Sequence, residues 1–314
     1  MIKVVFMGTP QIAVNSIQKL LNFNDIKICA VVTQPDRPCG RGKKLTPPPV
    51  KEFALRHDIP VFQTESIRKD ANLLDELRKI EPDFFITFAF GQILTQEVLD
   101  IPKFSTINLH ASLLPKYRGA NPIQRAIFNG DEETGITTMI TVLALDAGDI
   151  CLQEKIKITE NMTDAELSTI ISDKSPFLLY PTIKQLYNGV LKPRKQDETG
   201  VTIAKKFEKS DGKIDWTKSA REIHNQVRSM TIWPCAFCSF HDKMIKLAQT
   251  ALTDKKAPAG TKFGEIIGIS KEGIEVGTGE GVILIKKLKP EGKPVMNACD
   301  WVNGAHLKVG DILN

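Results

Sequence analysis

The feature that most constrains the fold is the alternation of short apolar runs with amphipathic stretches over the first two-thirds of the chain. Apolar runs at 2–7 and 26–32 are typical of strands, and the stretch 11–21 between them has apolar residues at helical spacing. The same order recurs where a helical stretch at 72–80 precedes an apolar run at 83–88. Strands that alternate with helices favour a mostly parallel sheet with helices on both faces. The sequence therefore predicts an α/β, Rossmann-like domain.

The pattern changes in the C-terminal third of the chain. Short strands are predicted at 261–270, 273–276 and 282–288, and turns rich in Gly and charged residues separate them. Closely spaced strands of this kind predict a small antiparallel sheet or β-barrel, similar to an OB-fold. A polar stretch that precedes them is typical of a linker. The predicted organisation is an α/β domain, a linker and a small C-terminal β-barrel domain, at residues 1–190, 191–206 and 207–314.

Composition and charge exclude several classes of protein. Hydrophobic residues make up 42% and charged residues 25% of the 314 positions, which excludes a disordered or collagen-like chain. No window reaches the roughly 18 consecutive apolar residues of a membrane span, and the N-terminal apolar run lacks the features of a signal peptide. The net charge of +5 permits a nucleic-acid partner without requiring one. We expect a cytoplasmic monomer with no membrane partner.

Motifs for common cofactors and metals are missing from the sequence. The first strand–helix turn, at 8–11, lacks the G-x-G-x-x-G pattern of dinucleotide binding, and the chain has no G-x-x-x-x-G-K-[ST] phosphate loop. Cys235 and Cys238 have a metal-like spacing, but no second such pair and no nearby His pair accompanies them. We therefore expect no bound metal and a structural role for these two cysteines.

Three polar residues stand where an α/β sheet places its ligands. Asn108 and His110 are two apart at the end of a predicted strand, so their side chains lie on one face at the carboxyl edge of the sheet. Asp146 follows the next apolar strand in a Gly-containing turn. A histidine that loses and gains protons near neutral pH, a carboxylate that orients it and an amide that stabilises an oxyanion together suit transfer to an amine. The alternative is a structural role for His110, and the two polar partners favour catalysis.

Two segments around these residues resemble the folate-dependent formyltransferases. They are Ser-Leu-Leu-Pro-Lys-Tyr-Arg-Gly-Ala-Asn-Pro-Ile at 112–123 and Leu-Asp-Ala-Gly-Asp at 145–149. The resemblance implies a formyl donor, 10-formyltetrahydrofolate, and assigns catalysis to Asn108, His110 and Asp146. It also implies that a strand end and the first of these segments bind the donor, through Phe88, Ala89, Phe90, Gly91, Gln92, Ile93, Ser112, Leu113, Leu114 and Pro115.

A basic loop and the C-terminal region are similar to the branch of this family that formylates methionyl initiator tRNA. The loop at 33–44 has four cations against one acid, and its glycines leave the backbone free to adapt. Such a loop can follow phosphates and contact an RNA end, although a solvated surface loop is the alternative. The resemblance assigns tRNA binding to Arg37, Arg41, Lys43 and Lys44. Lysines of the C-terminal domain at 286–293 could add phosphate contacts, or could protect a strand edge.

Other functions stay open at this stage, and each has a feature against it. A glycinamide ribonucleotide formyltransferase is usually one short domain, which leaves 207–314 unexplained. A sugar-nucleotide formyltransferase would not need the loop at 37–44. A non-catalytic tRNA-binding protein would not need Asn108, His110 and Asp146 together.

Overall fold

The computed structural model describes residues 1–40, 42 and 44–314. The strands are β1 Ile2–Gly8, β2 Ile26–Thr33, β3 Arg37–Cys39, β4 Lys44–Thr46, β5 Val61–Gln63, β6 Phe84–Phe88, β7 Ser105–His110, β8 Arg118–Gly119, β9 Glu133–Ile140, β10 Ile150–Lys157, β11 Ile203–Ala204, β12 Phe237–Phe240, β13 Lys243–Leu252, β14 Ile266–Ser270, β15 Gly273–Gly277, β16 Val282–Pro290 and β17 Met296–Asn297. The α-helices are α1 Val14–Leu20, α2 Pro49–Arg56, α3 Ala71–Ile80, α4 Gln96–Leu99, α5 Pro122–Phe128, α6 Asp164–Tyr187, α7 Ala220–Ser229 and α8 Ala298–Ala305.

The chain divides into two compact units, and each is built from separate stretches of sequence. Unit 1 comprises residues 1–119, 134–156 and 168–204. Unit 2 comprises residues 120–133, 157–167 and 205–314. Most of the segment predicted as a linker therefore packs within unit 1. The predicted boundaries at 190 and 207 assumed continuous domains, and they stay a prediction.

Unit 1 contains a seven-stranded sheet in the order β10-β9-β7-β6-β1-β2-β5. From β5 to β7 each neighbouring pair is parallel, and β9 runs antiparallel to β7. The parallel strands have their carboxyl ends at one edge, which is where ligands bind in sheets of this kind. The predicted α/β class with a mostly parallel sheet is confirmed.

Both faces of the sheet are buried. On one face Val5 and Met7 of β1 pack with Leu73 and Leu77 of α3. Residues on the opposite face of β1, such as Phe6, are also fully buried. A strand buried on both faces needs an almost continuous apolar run, which is why the N-terminal residues show no polar alternation.

Helix ends follow capping rules that the sequence displays. Asp70 caps α3 because its side chain accepts a hydrogen bond from the Leu73 amide at 3.1 Å. Ser219 and Glu222 form a reciprocal capping box at the start of α7. Prolines inside the stretch 163–186 predict a broken helix, and this prediction is wrong, because α6 continues through Pro176 and Pro181. Its buried face, which includes Ile171, offsets the hydrogen bonds that the prolines remove.

Unit 2 is built on an antiparallel sheet in the order β12-β13-β16-β15-β14, with β17 beside β16. Ile223 and Val227 of α7 and Val302 of α8 belong to its apolar core. The predicted β-rich C-terminal domain is confirmed as an antiparallel sheet. The sequence prediction missed β12, β13, β17 and α8. All three tryptophans of the chain, Trp216, Trp233 and Trp301, belong to this unit.

Across the described residues, no helix is long and apolar enough to cross a membrane.

Candidate active site

The structure brings the three predicted catalytic residues together. Asn108 and His110 lie at the end of β7, and Asp146 lies in the turn that follows β9. The amide nitrogen Nδ2 of Asn108 is 3.4 Å from Oδ1 of Asp146, and Nδ1 of His110 is 3.6 Å from Oδ2. His110 is buried. One carboxylate therefore faces both other side chains.

The two nitrogens of the His110 ring have different surroundings. Nε2 lies 2.8 Å from the backbone carbonyl of Tyr117. Because a carbonyl only accepts hydrogen bonds, Nε2 carries the hydrogen and Nδ1 of the neutral ring carries a lone pair. That lone pair faces an Asp146 oxygen that also only accepts. An N–H group that contacted both atoms would give each of these acceptors a hydrogen-bond donor. Nδ1 is therefore the ring atom suited to receive a proton.

Asn108 is oriented by a residue that the sequence analysis missed. Oδ1 of Asn108 accepts a hydrogen bond of 2.8 Å from the hydroxyl of Thr87. This bond turns the NH₂ group of Asn108 towards Asp146. Thr87 is the partner of Asn108 in the β6–β7 pairing. The sequence signal that could have identified Thr87 is a polar residue near the end of a buried apolar strand.

Asp146 itself has a strained backbone and a carboxylate held from several sides. Its φ angle is 47°, in the left-handed region that few non-glycine residues adopt. Its Oδ2 accepts from the Gly119 amide at 2.8 Å. Ala89 and Tyr117 also have left-handed backbones, with φ angles of 51° and 63°. Strained residues of this kind concentrate at functional sites.

In the predicted donor segment, 88–93, the backbone and not the aromatic rings faces outwards. Phe88 and Phe90 are buried, and Phe90 packs in the core with Val5 and Met7. Ala89 and Gly91 are exposed. The segment thus offers backbone groups to a ligand, while its rings anchor it to the sheet.

The rest of the donor segment adds an apolar side chain and an anchor. Ile93 is 69% exposed. The Gln92 side chain accepts from the Ile67 amide at 2.7 Å and donates to the Thr64 carbonyl at 2.8 Å. These bonds fix one wall of a surface depression of about 430 Å³. It is lined by Thr64, Glu65, Ser66, Lys69, Asp70, Ala71 and Asn72.

The second predicted donor segment, Ser112 to Pro115, forms a well-anchored turn. Ser112 is fully buried, and its hydroxyl donates to the Lys116 carbonyl at 2.6 Å. The Leu114 amide donates to the Thr137 hydroxyl at 3.1 Å, and the Leu114 side chain is buried. Leu113 and Pro115 are partly exposed. Ser112 therefore stabilises the turn from inside, and Leu113 and Pro115 form the accessible surface of the turn.

The basic loop contains a short hairpin, the basic hairpin, formed by β3 and β4. Arg37 and Lys44 are exposed on it. At its base Lys51 contacts Asp36 at 2.8 Å, and this hydrogen bond lowers the pKa of the Asp36 carboxyl. Two further residues predicted to bind tRNA, Arg41 and Lys43, lie outside the described residues.

The cysteines carry no metal-site geometry. Desolvation by burial raises the pKa of the Cys238 thiol to about 12, and the side chain packs in the core of unit 2. Cys235 donates to the backbone carbonyl of Ile232. Within the described part of the chain, no three His, Cys, Asp or Glu side chains are grouped to hold a metal ion.

Two family models match the sequence. Residues 2–183 match the formyl transferase family, and residues 206–306 match the formyl transferase C-terminal domain. The chain belongs to the formyl transferase family. The resemblance seen in the motifs is thereby confirmed.

Relatives of this formyl transferase match it over their whole length. It is 45% identical over 311 residues to the methionyl-tRNA formyltransferase of Clostridium perfringens strain SM101, which covers 99% of each chain. It is 44% identical over 313 residues to the enzyme of the same name from Clostridium acetobutylicum, which covers 100% of each chain.

Solved structures share the fold at lower identity. The sugar 3N-formyl transferase WlaRD, solved with dTDP and 5-N-formyl-THF, has a TM-score of 0.66 and 22% identity, and the match covers 94% of this chain and 99% of that one. An N-formyltransferase from Helicobacter canadensis, solved with folinic acid and dTDP-3-aminofucose, has a TM-score of 0.68 and 22% identity, with 91% and 99% covered.

Proposed function

We propose that this formyl transferase moves a formyl group from 10-formyltetrahydrofolate to the α-amino group of methionyl initiator tRNA, for translation initiation. The observation that carries formyl transfer to an amine is the Asp146 carboxylate facing both Asn108 and the Nδ1 atom of His110. The choice of amine is supported by the full-length relatives, which are methionyl-tRNA formyltransferases at 44–45% identity.

The reaction makes one bond, breaks one bond and moves one proton. The donor supplies a formyl carbon bonded to N10 of tetrahydrofolate. A C–N bond forms between this carbon and the α-amine, the C–N10 bond breaks, and the proton lost by the amine ends on N10. The chain has to accept that proton, return it and stabilise the charge that develops on the formyl oxygen.

Each member of the catalytic trio, Asn108, His110 and Asp146, has one role in this reaction. His110 accepts the amine proton at Nδ1, the atom that faces Asp146, and returns it to the leaving nitrogen. Asp146 stabilises the imidazolium while His110 holds the proton. Asn108, whose NH₂ group is aimed by Thr87, donates a hydrogen bond to the developing oxyanion.

The residues around the trio fit a folate donor. Exposed backbone at Ala89 and Gly91 can bond a polar heterocycle, and the exposed Ile93, Leu143 and Leu145 can cover its apolar faces. Leu143 and Leu145, in the loop that leads to Asp146, are 60% and 65% exposed. Exposed apolar side chains grouped in this way are typical of a binding surface. We assign Ser112 to Pro115 to the same donor site. The folate compounds in the related WlaRD and Helicobacter canadensis structures support this assignment.

The basic hairpin and the C-terminal unit are assigned to the tRNA. Arg37, Arg41, Lys43 and Lys44 supply cations for the acceptor end. In unit 2, the exposed lysines of β16 at 286, 287 and 289 supply further phosphate contacts. We expect the enzyme to act as a monomer in the cytoplasm, with no metal.

A panel of acceptors tests the function. Methionyl initiator tRNA, a dTDP-amino sugar and glycinamide ribonucleotide are each incubated with 10-formyltetrahydrofolate and the enzyme, and the mass of each acceptor is measured. We expect a formyl mass gain on methionyl-tRNA only, and none with the Asp146→Asn variant. A gain on the amino sugar without one on methionyl-tRNA would make the enzyme a sugar formyltransferase.

A further inference from the structure

The position of the Asp146 carboxylate depends on the conformation of a turn. A side chain from the polar segment, residues 191–206, stabilises that turn. The Asp146 turn comprises residues 146–149. Nε2 of Gln196 donates to the Asp146 carbonyl and to the Gly148 carbonyl, both at 2.7 Å. Gln196 is 8% exposed, so these bonds lie out of solvent. One amide thus bridges two carbonyls of the turn that presents the carboxylate.

The orientation of the Gln196 amide is set by a buried arginine. Nε of Arg118 donates to Oε1 of Gln196 at 3.0 Å. Since Oε1 is the acceptor, the NH₂ group has to face the turn. Arg118 is itself buried, at 7% exposure. Its backbone amide donates to the Thr202 carbonyl at 2.9 Å, and β8 pairs with β11.

Neighbouring backbone contacts bind the turn and the polar segment into one piece. Ile150 and Arg194 exchange two backbone hydrogen bonds of 2.8 and 2.9 Å, directly after the turn and before Gln196. On its other side the turn is bonded to β9, where the Ile140 amide donates to the Asp149 carbonyl at 2.9 Å. A side chain at Gly148 would collide with the Ile140 carbonyl, so the turn has no freedom to shift towards β9.

We infer that Gln196, oriented by Arg118, is a positioning residue that holds Asp146 in place against His110. Asp146 has a left-handed backbone, which is strained and persists only where its surroundings impose it. Without the amide of Gln196, the two carbonyls lose their donor, and the turn relaxes away from that conformation. The expected loss of kcat rests on the proposed function. The positioning of the Asp146 turn by Gln196 rests on the contacts alone.

Kinetics of two substitutions and a control test the inference. Gln196→Met removes both donated bonds, and Gln196→Glu keeps a partner for Arg118 but sets an anionic acceptor against two carbonyls. Both should lower kcat on the order of 10- to 100-fold, the effect of a small misplacement of a catalytic group, with KM for methionyl-tRNA and for the donor little changed. The control is Glu198→Gln, which removes the charge of the 73% exposed partner of Arg118 and should leave kcat unchanged.

A double substitution separates positioning from general damage. If Gln196 acts through Asp146, Gln196→Met should add little further loss of kcat to an Asp146→Asn enzyme. Losses that multiply, or a rise in KM with kcat intact, would overturn the inference.

Crystal structures of the variants decide the geometry independently of activity. The distance between His110 Nδ1 and Asp146 Oδ2 should lengthen beyond 3.6 Å in Gln196→Met and stay unchanged in Glu198→Gln. An unmoved turn in Gln196→Met would refute the inference. A wild-type enzyme that fails to formylate methionyl-tRNA would refute the proposed function instead, and the crystallographic comparison would still settle the role of Gln196.

Discussion

At the scale of single residues, the site depends on which atoms are already engaged. The Tyr117 carbonyl engages Nε2 of His110 and leaves Nδ1 facing Asp146. The Thr87 hydroxyl engages the oxygen of Asn108 and leaves its NH₂ group facing Asp146. In the proposed mechanism, each reactive atom is therefore selected by a hydrogen bond on the other side of the same side chain.

We predict that His110→Ala lowers kcat by about 10²–10⁴-fold, because general-base assistance is lost. The control is His57→Ala, which removes an exposed histidine at the end of α2 and should leave turnover unchanged. Initial rates of methionyl-tRNA formylation at saturating donor measure both. Near-normal turnover in His110→Ala would place the base elsewhere.

We predict that removing the amide of Asn108 lowers kcat/KM more than removing the Thr87 hydroxyl that orients it. Asn108→Ala should cost about 2.7–4 kcal/mol of transition-state stabilisation, as for removal of an oxyanion donor. Thr87→Val only frees the amide to rotate, so it should cost about 0.5–1.5 kcal/mol, one net hydrogen bond. Both values come from kcat/KM.

Thr106→Val is a matched control for Thr87→Val. Thr106 is buried on β7, and its hydroxyl has no hydrogen-bond partner. This substitution should leave kcat/KM unchanged and should not destabilise the fold. Equal losses in Thr87→Val and Thr106→Val would show that packing, and not orientation of the amide, is responsible.

The trio could be predicted from sequence because its members follow rules of strand geometry. Asn108 and His110 share a face by alternation, and Asp146 follows the next strand. Thr87 and Gln196 could not be assigned roles in this way, because both act through contacts between residues distant in sequence. Gln196 is 50 residues from Asp146. No local period encodes such a contact.

At the scale of elements, packing overrides local propensity in both directions. The prolines of α6 predict a break, yet the helix continues because its apolar face is buried on either side of them. The basic loop contains Pro and Gly and predicts irregular backbone, yet β3 and β4 pair within it. Strands and helices with strong apolar periods were predictable, whereas β13 was missed because its buried and exposed positions do not alternate regularly.

The basic hairpin should contribute to tRNA binding in proportion to its cations. We predict that the double substitution Arg37→Gln and Lys44→Gln weakens tRNA binding and reduces the slope of log Kd against log salt concentration by about 2, because each of the two cations neutralises about one phosphate. Filter binding over a range of salt concentrations measures the slope. Lys79→Gln, an exposed lysine on α3, is the control and should leave the slope unchanged. An unaltered slope in the double variant would remove the hairpin from the tRNA site.

At the scale of the whole molecule, unit 2 holds a buried histidine that couples its stability to pH. Nδ1 of His224 is 2.9 Å from the Thr250 hydroxyl, and Nε2 is 3.1 Å from the Glu160 carbonyl. Desolvation by burial lowers the pKa of His224, because it disfavours the charged ring. Burial raises the pKa of Asp164 in the same unit, which acts in the opposite sense.

We predict that the free energy of unfolding of unit 2 falls as pH drops below about 6.5, the ordinary value for histidine. Between that value and the lowered folded pKa, the unfolded chain binds the extra proton, so acid favours unfolding by at most about 1.4 kcal/mol per pH unit. Urea unfolding followed by tryptophan fluorescence reports on unit 2, which contains every tryptophan.

The comparison is with His224→Gln, which cannot titrate. Both chains keep Asp164, so its opposite contribution cancels in the difference between them. The difference in unfolding free energy should change with pH between 7 and 5. Parallel curves for the two chains would contradict the prediction.

The discontinuous make-up of unit 2 also sets an order of events on the ribosome. Its first two stretches, 120–133 and 157–167, are synthesised before any of 205–314, which completes the unit. At roughly 5–20 residues per second, the unit is complete only about 7–36 s after these stretches have been synthesised. Side chains that end up buried, such as Ile127 and Ile158, spend that interval on a nascent chain whose other stretches can already form unit 1. The growing polypeptide therefore passes through a stage in which a nearly complete unit 1 carries exposed apolar side chains of unit 2, which is the kind of surface that chaperones bind.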